Sequence, residues 1–71
     1  MLSSTPKHFG QRIRDRRKSL TLSQDDVAAV VGVNRRVVGE LERGKPSVRL
    51  DIALRVAQAV GLDVSVRERN Q

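Results

Sequence analysis

Apolar residues recur at the spacing of an amphipathic helix in four stretches of this 71-residue chain. Residues that favour helix starts or helix ends bound these stretches, namely Thr5, Ser23, Asn34, Gly32, Gly44 and Gly61. Asp26 follows Ser23 by three residues, the spacing of a capping box. The pattern predicts helices from about residue 6 to 18, between 23 and 32, between 34 and 44, and from 49 or 50 to 60.

The fourth predicted helix is apolar over most of its circumference. One stripe consists of Leu50, Ala53, Leu54 and Ala57, and a second consists of Ile52, Val56 and Ala59. One stripe can fill the core of the domain, and the other then needs a separate cover. In so small a domain we expect a second chain to supply it, with Ile52 and Val56 at the interface.

After the fourth helix, apolar and polar residues alternate. Leu62, Val64 and Val66 alternate with polar residues, which is the period of a half-buried strand. Nothing else in the chain has a strand pattern, so this strand has to pair with another chain. We expect a dimerisation strand at residues 62–67, a DNA-binding domain at 5–61, a disordered N-terminus at 1–4 and a flexible tail at 68–71.

Residues 23–44 have the layout of a DNA-binding helix-turn-helix. Two short helices are joined by a tight turn that contains Gly32, and the second helix has a basic outer face. The expected fold class is therefore all-α.

These residues also resemble the Cro/repressor-like (Xre) helix-turn-helix family. The matching positions are Ser23-Gln24, Val27-Ala28, Gly32-Val33-Asn34, Val38 and Leu41-Glu42-Arg43-Gly44, within residues 7–62. Residues 42–47 and 60–66 look like the HipB-type antitoxin branch of that family. The resemblance implies a repressor-like domain of four to five helices with a short C-terminal β-strand for dimerisation, and a HipA-like kinase toxin as partner. Asn34 and Gly39 depart from the usual Ser/Thr and Ser, and the absence of an aromatic residue near the C-terminus speaks against a tail-anchored toxin contact.

Composition narrows the class of partner. The net charge of +6 suits a polyanion, and the basic residues lie within patterned helices. Phe9 is the only aromatic residue, which argues against single-strand binding by base stacking. Without cysteine, and with His8 as the lone histidine, neither a disulfide nor a metal site is expected.

The sequence contains no catalytic constellation and no phosphate-binding glycine loop, so we expect neither an enzyme nor a cofactor. No apolar run approaches the ~20 residues that span a membrane, and no secretory signal pattern opens the chain. These observations favour a cytoplasmic, nucleoid-associated protein that does not contact membranes.

The third helix is expected to enter the major groove with its N-terminal turns. Its candidate base contacts are Arg35, Arg36, Val37 and Glu40. Arginine can donate to O6 and N7 of guanine, glutamate can accept from N4 of cytosine, and valine can touch the thymine methyl group. Gly39 would let the helix approach DNA closely; the alternative is an unused exposed position.

A second set of residues is suited to phosphates, namely Gln24, Asn34, Arg43, Lys45 and Arg49. For the three cations the alternative is an ordinary solvated charge. The family resemblance implies that Gln24, with the N-terminus of its helix, faces a phosphate. It also implies an ion pair between Arg17 and Glu42 that joins the third helix to the first, so Glu42 is not assigned to DNA.

The sequence therefore predicts a sequence-specific, DNA-binding transcriptional repressor that binds a palindromic operator on double-stranded DNA as a homodimer. Within that class we favour the antitoxin of a HipBA-like type II toxin–antitoxin operon. One alternative is a stand-alone or phage-type repressor without a toxin. Another is a protein-interaction module that neutralises a toxin by contact and binds DNA weakly.

Overall fold

A computed structural model describes residues 5–69, which contain four helices and no β-strand. Helix α1 covers Pro6–Ser19, α2 Gln24–Val31, α3 Arg35–Glu42 and α4 Leu50–Ala59. The predicted all-α fold is confirmed, with four helices rather than five in this range. The expectations of a disordered start at residues 1–4 and a loose end at 70–71 lie outside the described residues.

Local side-chain bonds begin the first three helices. Thr5 accepts a hydrogen bond from the backbone N–H of His8 at 3.1 Å, and Asn34 accepts one from that of Arg36 at 2.8 Å. Ser23 and Asp26 form the predicted capping box, in which each side chain accepts from the other's backbone N–H at 3.0 and 2.8 Å. The bond from the Ser23 backbone is the main reason that the pKa of Asp26 lies below its ordinary value.

Helix α3 packs against α1 and α2, and α4 packs against α2. The largest fully buried side chains are Ile13, Val27, Val38, Val56 and Val60. The Arg55 guanidinium donates to the carbonyl of Val31 and so ties α4 to the end of α2. The α2–α3 pair thus packs against α1 through α3 and against α4 through α2, and these contacts hold the two helices in a fixed relative position.

The structure corrects the predicted faces of α4. Val56 is completely buried in the core of the single chain, so its assignment to a dimer surface is wrong. Ile52 is half-buried at the edge of that core. Leu50 and Leu54, which were expected in the core stripe, are 71% and 36% exposed. The small side chains of Ala53 and Ala57 face inward with Val56 and Val60, which rotates the two leucines toward solvent.

Residues 62–69 follow α4 without regular secondary structure. The backbone N–H of Leu62 bonds the carbonyl of Ala57 at 2.9 Å, and the Leu62 side chain packs on the core. Val64 and Val66 are exposed. The sequence pattern predicts that these residues form a strand only by pairing with another chain. A single chain does not test that pairing, which therefore stays a prediction. None of the described helices is long and apolar enough to cross a membrane.

Candidate nucleic-acid interface

The orientation of α3 is set by two of its apolar side chains, Val38 and Leu41, which are buried in the core. Arg35 and Arg36, in the first turn of the helix, are exposed to solvent, whereas Val37 and Glu40 are half-buried. Helix α1 approaches α3 closely because Gly10 has no side chain. A Cβ built at this position would lie 2.7 Å from the carbonyl oxygen of Glu42. The N-terminal turns of α3 thus project from a rigid support.

An ion pair beneath α3 joins it to α1. The Arg17 guanidinium donates to both Glu42 oxygens, at 2.6 Å to Oε2 and 3.0 Å to Oε1, and also to the carbonyl of Leu22 at 2.8 Å. Both side chains are buried. The hydrogen bonding to Glu42 raises the pKa of Arg17 above its ordinary value, although burial acts in the opposite direction. The pair is present as the family resemblance implied.

Gln24 also bonds to Glu42 and so joins this network; the sequence did not predict this contact. Its side-chain amide donates to Glu42 Oε1 at 3.1 Å, so one amide hydrogen is already engaged and the side chain is half-buried. Gly39 lies directly beneath: a Cβ there would be 3.6 Å from Gln24 Oε1 and 3.2 Å from an Arg43 nitrogen. The only signal that could have revealed this contact was a glycine in the interior of α3.

Gly39 is therefore not an exposed position on the outer face of α3, as the helical wheel had suggested. It is buried by the Gln24 and Arg43 side chains, because the missing Cβ leaves room for them to cross the helix. The consequence is that Gln24, at the start of α2, and Arg43, at the end of α3, meet on one surface.

The candidate cations differ in how far the chain's own carboxylates already neutralise them. Lys45 lies 3.2 Å from Glu40 Oε2, and Arg49 lies 2.8 Å from Asp51 Oδ2. Arg35 lies 3.8 Å from Asp25 Oδ1, and both of those side chains are well exposed. Within residues 5–69, neither Arg36 nor Arg43 has a carboxylate partner. These two arginines carry the least compensated charge on and beside α3.

The predicted site residues thus divide into groups. Arg35, Arg36 and the half-buried Val37 share the first turn of α3 with its cap, Asn34. Gln24 and Arg43 meet over Gly39, and the Glu40–Lys45 pair lies at the C-terminal end of α3. Arg49 is the residue before α4 and is engaged with Asp51.

The described residues contain no group of three or more side chains that could hold a metal ion. The chemistry available on this surface is therefore that of guanidinium, ammonium and amide donors with one half-buried carboxylate. Such donors match phosphate oxygens and the acceptor-rich edges of bases.

Comparison with known proteins identifies relatives of the chain. A family model described as helix-turn-helix matches residues 13–66. The uncharacterized HTH-type transcriptional regulator y4mF of Sinorhizobium fredii is 37% identical over 62 residues, which cover 87% of this chain and 82% of that protein. An uncharacterized HTH-type transcriptional regulator of Methanothermobacter thermautotrophicus is 45% identical over 49 residues, covering 69% and 71%.

Solved structures show the same fold at low sequence identity. The HipB–O4 20mer complex superposes with a TM-score of 0.87 at 13% identity, and the match covers 99% of each chain. The structure described as MDT protein gives the same TM-score, identity and coverage. At this identity the likeness concerns the fold alone.

Proposed function

The chain belongs to the helix-turn-helix family of transcriptional regulators, and from this premise we propose that it represses transcription by binding a specific double-stranded DNA site through α3. The observation that carries the proposal is the pair of exposed arginines, Arg35 and Arg36, on the first turn of a helix held rigidly from behind. Protruding guanidinium groups at the N-terminus of the second helix of this motif lie where base edges are read.

We assign different tasks to the two groups of polar residues. Arg36 reads a guanine, since no described carboxylate competes for its donors, while Arg35, Val37 and Glu40 complete the base-facing set. Gln24, Asn34, Arg43, Lys45 and Arg49 contact the phosphates. The ion pair between Glu40 and Lys45 competes with DNA for these two side chains. When DNA binds, a phosphate pairs with Lys45 while an amino group of a base donates to Glu40.

Arg36→Ala tests the base-reading role. A preferred duplex is first selected by the wild-type protein from a random pool, and its affinity is compared with that of a scrambled duplex at one fixed salt concentration. Loss of a bidentate guanine contact should cost about 1–3 kcal/mol of discrimination and leave the fold intact. Arg12→Ala, an exposed arginine on α1, is the matched control. An unchanged ratio of affinities for Arg36→Ala contradicts the assignment.

A homodimer is part of the proposal. The segment after Leu62, which has no regular secondary structure, exposes Val64 and Val66, and α4 exposes Leu50 and Leu54. Two copies of the segment can pair antiparallel about a twofold axis and give each edge a partner. Ile52, at the edge of the core, and Leu62 are then expected to border the interface.

Within this class we favour the antitoxin role, with a HipA-like kinase toxin as partner. The proposal rests on the motif resemblance and on the shared fold with HipB. Co-purification with the product of the neighbouring gene tests it. A stoichiometric complex supports the antitoxin. A stand-alone repressor is indicated if DNA binding is strong and no partner is retained. A protein-interaction module is indicated if a partner is retained and binding to the selected duplex is weak.

A further inference from the structure

The connection between α3 and α4 lies directly against the first turn of α1. A Cβ built on Gly44 would be 2.5 Å from the Cα of Lys7 and 2.9 Å from its backbone nitrogen. Gly44 also has a φ of +85°, which glycine adopts without strain. The contact is thus between backbones, and it fixes the position of Lys7 relative to Arg43 and Lys45, which flank Gly44 in the chain.

Lys7 adds uncompensated charge at this point. Its side chain is exposed, and no carboxylate of the described residues pairs with it. Of the two cations beside Gly44, Lys45 is paired with Glu40 and Arg43 has no such partner in the same range. Lys7, Arg43 and Lys45 together therefore form a cationic cluster with one opposing carboxylate.

This cluster is continuous with two of the residues proposed to contact phosphates, Gln24 and Arg43. An Arg43 nitrogen lies 3.2 Å from the position of a Cβ at Gly39, over which Gln24 also lies. The surface thus runs from the start of α2, across the end of α3, to the first turn of α1.

We propose that Lys7 is a further phosphate-contacting residue, which extends the DNA footprint of α3 onto α1. The inference rests on the proposed DNA-binding function and adds a contact that the helix-turn-helix motif itself does not contain. The favoured occupant is the DNA backbone rather than an acidic protein, because the cluster is continuous with the side chains proposed to contact phosphates and is complementary to their charge.

Lys7→Gln tests the proposal, with Arg12→Gln as matched control. Both residues are exposed cations of α1, but five positions at 100° each place them about 140° apart around the helix. Dissociation constants are measured on a mixed-sequence 30-base-pair duplex and on the selected duplex, between 50 and 200 mM salt. Thermal melts of both variants establish that the fold is retained.

Removal of one phosphate contact should weaken binding to both duplexes by the same factor and reduce the slope of log K against log salt by about 0.9. Arg12→Gln should leave slope and affinity unchanged. If Lys7→Gln has the same slope as the wild-type protein, the inference is overturned, whereas the proposed function still holds as long as the wild-type protein binds the selected duplex. A changed ratio between the duplexes also overturns it, since phosphate contacts carry no sequence information. If the wild-type protein binds neither duplex, both proposals fail.

Discussion

Glu42 connects three parts of the domain through its two carboxylate oxygens. Oε2 accepts from Arg17 of α1, and Oε1 accepts from both Arg17 and Gln24 of α2. No buried side-chain nitrogen or oxygen of the described residues lacks a hydrogen-bond partner. A buried charge pair of this kind costs desolvation energy, and its clearest effect appears when one partner is removed.

Glu42→Ala should lower the free energy of unfolding by about 3–5 kcal/mol, because Arg17 would remain charged and buried without its carboxylate partner. Glu40→Ala is the control: its pair with Lys45 is only partly buried, and the expected loss is below about 1 kcal/mol. Urea denaturation measures both. If Glu42→Ala retains its stability but loses DNA binding, Glu42 belongs to the DNA surface and the structural role is wrong.

Asp26 gives the capping box a dependence on pH. The two bonds with Ser23 lower the pKa of Asp26, so the folded state favours the ionised carboxylate more than the unfolded state does. This contribution to stability is complete above the unfolded value, about 4, and is lost as the pH falls through the lower folded value.

Asp26→Asn should therefore flatten the decline in stability below about pH 4. The neighbouring Asp25→Asn is the control, because Asp25 makes no capping bond. Denaturant titrations between pH 2.5 and 7 compare the two variants with the wild type, roughly spanning the carboxylate range. Identical acid profiles for the wild type and Asp26→Asn would contradict the assignment.

At the scale of helices, glycines decide how closely neighbours approach. Gly10 faces the backbone carbonyls of Leu41 and Glu42 across the α1–α3 contact. Gly39 instead faces the ends of the Arg43 and Gln24 side chains. Backbone atoms held in a helix cannot move aside, whereas the ends of flexible side chains can.

Alanine at these two positions should thus have opposite effects. Gly10→Ala should separate α1 from α3 and cost about 1–3 kcal/mol or more, as overpacking does. Gly39→Ala should gain up to about 1 kcal/mol, since it replaces a glycine in a helix interior and displaces only side-chain ends. Thermal melts distinguish the two. A gain for Gly10→Ala, or a large loss for Gly39→Ala, would show that the α3 contacts are misassigned.

At the scale of the whole molecule, one chain leaves apolar surface uncovered. Leu50 and Leu54 on α4 and Val64 and Val66 beyond it are exposed, although the chain has only 71 residues with which to build a core. A small domain buries a modest fraction of its surface alone, so covering these side chains in a second copy would add to its stability.

We expect the wild-type protein to sediment as a dimer at micromolar concentration. Val64→Lys should yield monomers or unfolded chains and abolish tight operator binding, because it places a charge in the paired segment. Ser65→Lys is the matched control, since successive side chains of an extended segment point to opposite faces. In the dimer the two copies of α3 should lie about 34–36 Å apart and require a palindromic site. A folded wild-type monomer at that concentration would refute this architecture.

Local signals in the sequence determined where the helices begin and end. Ser23, Asp26 and Asn34 make their capping bonds within three residues, and Gly32 ends α2 with a φ of +83°, so neighbouring residues decide these features. The spacing of Val38 and Leu41 likewise places them on one side of a helix, and this is the side that the core buries. The pairing of Arg17 with Glu42 came instead from the family resemblance, because no local pattern links residues 25 positions apart.

Only the tertiary structure decided the rotation of α4 and the surroundings of Gly39. Two apolar stripes on α4 fit a core about equally well by pattern, but the buried face lies between them and combines Ala53 and Ala57 of one stripe with Val56 of the other. The position of Lys7 beside Gly44 depends in the same way on where two backbones touch. Distances between helices depend on which atoms of remote segments meet, and the period of one helix contains no information about the shape of its neighbour.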